Sequence, residues 1–152
     1  MPVETEIQDR LKEAFGEGVS DFKIPRERRM FARVPPALIK PVITYLKDNF
    51  GLTHITTITA LDTGDEIEIL YHLLCQGVAL NLRTFVPKAD PVIETITPLL
   101  PGAILYEREI QDMLGVKVKG HPDPRRLILP EDWEDGVYPL RKDYKPQKDK
   151  IG

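Results

Sequence analysis

The sequence predicts an α+β fold: a mostly antiparallel four-stranded sheet with helices packed on one face, followed by an extended C-terminal tail. Three observations carry this. Two turns with a central glycine, Asp62-Thr63-Gly64-Asp65 and Cys75-Gln76-Gly77, separate three runs of alternating polarity, as in an antiparallel meander. Segments with helical spacing of apolar residues flank these runs. From about Gly120 all periodicity disappears.

Taken in order, residues 4–15 place Ile7, Leu11, Ala14 and Phe15 at i, i+4, i+7 and i+8, with Gly16 as a stop, which predicts an amphipathic helix. Residues 28–34 alternate, with Met30, Ala32 and Val34 on one side of a half-buried strand. Pro35-Pro36 ends that strand and opens a helix whose stripe is Leu38, Val42, Tyr45, Leu46 and Phe50, capped by Gly51. Pro41 inside it predicts an irregular first turn. Thr53–Leu61, Glu66–Leu74 and Val78–Val86 are the meander strands. Asp90-Pro91 reads as the start of a helix that buries Val92, Ile93, Ile96, Leu99 and Leu100 before Pro101-Gly102 breaks it. A last helix covers about Ala103–Leu114, ending at Gly115. The organisation is a body over residues 1–119 and a tail over 120–152.

Composition limits what this fold can do. The chain has 152 residues and a net charge of −3, with 41% apolar and 30% charged residues. That suits one soluble domain and lacks the basic excess of a dedicated nucleic-acid binder. No apolar run is long enough to span a bilayer, and the first residues lack the basic-then-apolar pattern of a signal peptide, so the expected location is the cytoplasm. A single cysteine, Cys75, leaves no internal disulfide and no multi-cysteine cluster site. Eight of the fourteen prolines lie between residues 87 and 140, so helices there must be short.

The charged residues concentrate late in the chain. In the last helix, Glu107, Arg108, Glu109 and Asp112 form a dense set, with Arg108 facing Asp112 at i, i+4. The carboxylates suit an acid/base pair, a solvated helix face with one ion pair, or contact with a partner's cations. His121, between Gly120 and Pro122-Asp123-Pro124, suits either a proton carrier or a residue that holds its turn by hydrogen bonds. Arg125 and Arg126 match carboxylates better than phosphate in so acidic a chain. Trp133 lies in the acidic loop Glu131–Asp135 and suits an interface anchor. Pro139, Leu140, Arg141, Lys142 and Asp143 read as an extended strap of the kind that orders against a partner. No phosphate loop, Cys-x-x-Cys or Gly-x-Ser-x-Gly is present, and no catalytic constellation emerges.

Two runs, Glu107–Gly115 and Gly120–Leu129, continued by Pro139-Leu140-Arg141-Lys142-Asp143-Tyr144, closely resemble the signature of the complex I 30 kDa subunit (NuoC-type) family. The link Pro130–Tyr138 instead resembles the related subunit of energy-converting, membrane-bound [NiFe]-hydrogenases. The resemblance implies a cofactor-free, non-catalytic subunit of an ion-translocating oxidoreductase complex. Iron–sulfur clusters, and in the hydrogenase branch a [NiFe] centre, would reside in partner subunits. The implied partners are the large [NiFe]-hydrogenase-like (49 kDa-like) subunit and the iron–sulfur small subunit, on the cytoplasmic side of the membrane, with no nucleic acid. It implies that Glu107, Arg108, Glu109, Asp112, His121, Asp123, Arg125 and Arg126 stabilise the fold and its contact with the large subunit, that Gly115 caps the helix, and that Pro139–Asp143 form the strap. The alternatives are the NuoC subunit of a respiratory NADH:quinone oxidoreductase and, in a different class, a stand-alone acid/base enzyme using Glu109, Asp112 and His121.

Overall fold

A computed structural model describes residues 2–146 of the chain. Helix α1 (Val3–Phe15) is followed by strands β1 (Ser20–Arg26) and β2 (Arg29–Arg33), helix α2 (Ile39–Phe50), and the meander β3 (His54–Asp62), β4 (Glu66–Cys75) and β5 (Val78–Pro87). Then come β6 (Val92–Glu94), α3 (Ile104–Leu114) and β7 (Lys117–Lys119). The helical periodicity places α1 and α3 to within a residue, and the end of α2 at Phe50, while α2 starts at Ile39 rather than at Pro36. Pro41 is the third residue of α2, where its missing N–H costs nothing, and a 3-10 turn at Pro36–Leu38 supplies the irregular entry.

The α+β class holds, but the sheet differs from expectation. It has five strands, in the order β1-β2-β5-β4-β3, and it is mixed: β2 runs parallel to β5. The chain leaves β2, crosses through α2 to the far edge at β3, and returns by the meander to lie beside β2. Such a parallel pairing joins residues about fifty apart and leaves no local turn signature. Strand β1 is an edge strand with mostly exposed side chains, Pro25 within it and two register shifts against β2. These features blunt an edge and erase the alternation that would announce a strand.

The expected helix from Pro91 to Leu100 does not form. The run Val92-Ile93 and Thr95-Ile96-Thr97 is β-branched, and Pro98 interrupts it, so the segment is extended and pairs in parallel with β7 as a small second sheet. Ile93, Ile96 and Leu100 are buried as expected, while Val92 is 38% exposed.

The core lies on one face of the large sheet. Ile67, Ile69, Tyr71 and Leu73 of β4, Leu80 and Leu82 of β5, and Met30 and Ala32 of β2 pack with Ile7 and Leu11 of α1 and Val42, Ile43 and Leu46 of α2. Each large apolar side chain buried there contributes about 1.5–3 kcal/mol. The opposite face is left open. It carries the exposed Arg29 and Arg33 and the half-buried Phe31 and Phe85, and Leu61 and Leu74 are more than half exposed.

The C-terminal segment is not extended. Residues 121–146 fold back over α3 in a succession of turns, because polar groups on α3 and β3 hold its backbone at several points.

Candidate functional site

Helix α3 buries two carboxylates. Glu107 is 1% exposed and Asp112 6%, alongside Ile110 and Leu114. Buried charges require specific partners, and each finds them in chain that flanks the helix.

The Glu107 carboxylate accepts hydrogen bonds from the Thr95 hydroxyl (2.5 Å) and the Ile96 N–H (2.9 Å), which locks the turn after β6 onto α3. His121 Nε2 lies 3.9 Å from it. Burial raises the Glu107 carboxyl above the ordinary carboxylate range, against the two hydrogen bonds and the nearby imidazole. His121 is itself buried: Nε2 is 2.9 Å from the Ile104 carbonyl and Nδ1 accepts the Asp123 N–H at 2.9 Å. This assigns the neutral Nε2–H tautomer and makes His121 the holder of its own turn.

Asp112 accepts three successive backbone N–H groups on one oxygen, from Leu127 (2.8 Å), Ile128 (2.7 Å) and Leu129 (3.2 Å). Charge-assisted bonds of this kind are roughly twice as strong as neutral ones. Arg108 does not pair with Asp112 as i, i+4 spacing suggested. It donates instead to the carbonyls of Arg125 (2.8 Å) and Arg126 (3.0 Å) and lies 3.6 Å from Asp123. Arg125 forks onto Asp123 (2.7 and 2.9 Å), which holds that carboxyl down at about 2. Arg126 donates to the carbonyls of Pro130, Glu131 and Trp133 and pairs with Asp135. Trp133 Nε1 donates to the Val137 carbonyl at 2.8 Å. Glu109 is half-buried and Pro122 exposed, and neither has a side-chain hydrogen bond among the described residues.

The strap residues close the segment on the end of α3. Gly115 caps the helix in the left-handed region (φ 75°), and the Tyr138 ring lies where any Cβ would sit. Beyond the half-buried Pro139, the Leu140 N–H donates to the Met113 carbonyl (3.0 Å), and Arg141 Nε donates to the Leu114 carbonyl (2.8 Å) while stacking on Tyr138. The Lys142 N–H donates to Asp62 at 2.9 Å. Asp62 also pairs with Lys88 at 2.7 Å, and Asp143 lies 3.7 Å from the same ammonium. The Lys88 ammonium, with the Lys142 and Gly64 N–H groups, lowers the Asp62 carboxyl to about 2 despite its burial.

The result is a fixed display. With most of the polar side chains turned inward to hold backbone, Leu127 (41% exposed), Ile128 (49%) and Leu140 (59%) stand at the surface. Glu109, Asp112 and His121 do not share hydrogen-bond partners. Sequence reasoning missed Asp62, Lys88 and Thr95. Asp62 looked like a plain turn residue, and nothing local links it to Lys142, eighty positions on. Among the described residues no group of three or more His, Cys, Asp or Glu is placed to hold a metal, and no helix is long and apolar enough to cross a membrane.

Comparisons with known proteins converge on one family. That described as "Respiratory-chain NADH dehydrogenase, 30 Kd subunit" matches residues 32–150. The membrane-bound hydrogenase subunit beta of Pyrococcus furiosus is 32% identical over 147 residues, covering 91% of this chain and 84% of that protein. A subunit of the F(420)H(2) dehydrogenase of Methanosarcina mazei is 34% identical over 142 residues, covering 91% and 89%. A chain in the structure of a membrane-bound sulfane sulfur reductase, an archaeal respiratory membrane complex, superposes with a TM-score of 0.82 at 30% identity, covering 93% of this chain and 85% of that one.

Proposed function

The chain belongs to the family of the respiratory-chain NADH dehydrogenase 30 kDa subunit, and from that premise we propose that it is a cofactor-free, non-catalytic subunit of a complex I-like or energy-converting hydrogenase complex. It docks on the large [NiFe]-hydrogenase-like (49 kDa-like) subunit, next to the iron–sulfur small subunit. It sits on the cytoplasmic side and meets the membrane only through the complex. Its part in electron transfer is to hold the cluster-bearing subunits together.

The observation that carries this reading is how the signature residues are spent. Asp112, Arg108 and Arg126 bind main-chain groups of residues 125–133, so the motif builds a loop of set shape. That loop presents Leu127 and Ile128, and the anchored strap presents Leu140. Exposed apolar side chains on a pre-ordered backbone dock with little ordering entropy left to lose. The hydrogenase-type relative supports the energy-converting branch, and the family description supports the NuoC subunit of an NADH:quinone oxidoreductase as the second reading.

The test is Asp112→Ala in the full chain, co-expressed with the large subunit. Freeing three N–H groups lets the 127–129 loop lose its shape, and recovery of the pair falls by about tenfold or more while the far-ultraviolet circular dichroism stays unchanged. Full recovery of the pair by the variant overturns the reading.

A further inference from the structure

The open face of the large sheet is not a plain solvated surface. Strand pairing sets its rows. Arg29, Ala79, Leu74 and His54 lie side by side across β2, β5, β4 and β3. Phe31, Asn81, His72 and Thr57 form the next row, then Arg33, Arg83, Leu70 and Thr59. Three guanidiniums lie over two rings: Arg29 over Phe31 (5.4 Å to the centroid), and Arg33 (4.3 Å) and Arg83 (5.5 Å) over Phe85. Arg83 is engaged by Glu68 at 3.0 Å and Asp21 at 3.4 Å. Arg29, Arg33 and the neighbouring Arg26 have no carboxylate partner among the described residues. An unpaired basic cluster in a chain of net charge −3 is a local inversion of sign.

We propose that this face is a second docking surface, separate from the loop on α3, for an extended acidic segment of another polypeptide in the complex. The proposal rests on the chain being a subunit of such a complex. A guanidinium over a ring face keeps N–H groups available to fork onto a carboxylate. The ring contacts narrow the positions that the arginines sample, which lowers the side-chain entropy lost on binding. The exposed Leu74 lies two strands from Arg29, about 10 Å at the usual strand spacing. A segment in the extended polyproline II conformation rises about 3.1 Å per residue and returns to the same face every third residue, so three residues cover that distance with both side chains toward the sheet. The segment therefore carries an acidic residue and an apolar one three positions apart, and it crosses the strands. It does not add to the sheet at β1, because Pro25 and the two register shifts spoil that edge.

The probe is a fluorescein-labelled peptide of repeated Glu-Ser-Ser-Leu units, titrated with the full chain by fluorescence anisotropy. Binding is expected to weaken about tenfold in the Arg29→Glu/Arg33→Glu double variant, to weaken about threefold in Leu74→Ser, and to decline as salt is raised. Circular dichroism of each variant confirms that it is folded. No binding, or equal binding by the double variant, overturns the proposal. So does charge-reversal-sensitive binding that appears only with phosphatidylglycerol vesicles or single-stranded RNA and not with the peptide. The Asp112→Ala chain keeps its peptide affinity, so failure of this surface and failure of the α3 loop are separately visible.

Discussion

The sheet body and the C-terminal segment sit against each other but are held by different forces. In the body, fully buried Ile, Leu, Met and Val side chains fill the space between one sheet face and two helices. From residue 121 on, no side chain of the described residues except His121 is buried, and shape comes from single polar groups gripping main chain: Arg108, Asp112, Arg126 and Asp62. Apolar burial is spread over many residues and tolerates the loss of one. A carboxylate that holds three N–H groups is a single point of failure. The difference allows the segment to keep a defined shape while leaving Leu127, Ile128 and Leu140 exposed.

The largest expected effect tests whether the segment depends on the body. Ile69 is fully buried in β4, and Ile69→Ala is expected to cost about 3 kcal/mol through lost transfer free energy and the cavity left behind. Trp133, the only tryptophan, reports on the segment by fluorescence, while far-ultraviolet circular dichroism reports on the body. In urea both signals of Ile69→Ala shift together, because α3 and Asp62 cannot hold the segment once the sheet is lost. A Trp133 transition left at its original midpoint would show that the segment folds without the body.

A smaller effect separates the two regions. Asp62→Asn removes the carboxylate that joins Lys88 to the Lys142 N–H, and is expected to cost about 2 kcal/mol. The Trp133 transition then precedes the circular dichroism transition. The pH dependence has a definite sign. The folded-state Asp62 carboxyl lies at about 2, below its ordinary 3.8, so its contribution is present above about pH 4 and is lost as pH falls toward 2. Asp123 titrates in the same window, and the difference between wild type and Asp62→Asn isolates the Asp62 part. Equal acid profiles for the two proteins would show that the Lys142 anchor does not hold the segment.

The same contrast governs what the sequence made legible. Helices α1, α2 and α3 and the β3–β4–β5 meander follow from periodicity and turns, which are local and dense in the body. The parallel pairing of β2 with β5, the edge strand β1 and the small β6–β7 sheet depend on distant partners, and a β-branched run around Pro98 was open to either reading. In the site, the grouping of Glu107–Gly115 with His121–Arg126 was visible, but the inward aim of Glu107 and Asp112 was not. Part of the signal existed: Glu107 stands at i, i+3 and i+7 with Ile110 and Leu114, on the apolar stripe. Asp112 had no such mark, because its partners are main-chain N–H groups fifteen to seventeen residues away.

The smallest expected effect lies at the joint between the regions, where Glu107 ties α3 to the Thr95-Ile96 turn beside His121. Burial raises the Glu107 carboxyl, so the fold favours its neutral form. Stability from this group is fully present below the ordinary glutamate range and declines as pH rises through the folded-state value. Glu107→Gln keeps an acceptor for the Ile96 N–H and can donate to the Thr95 hydroxyl, but it carries no charge at any pH. The variant should match wild type near pH 4 and exceed it near pH 8 by on the order of 1 kcal/mol in urea denaturation. A variant that instead loses stability at pH 8 would mean that the ionised carboxylate, accepting from the Thr95 hydroxyl and the Ile96 N–H, is what binds the turn to the helix. In that case the body would depend at this point on the same charged contacts that hold the segment, and the contrast between the two regions would end at α3.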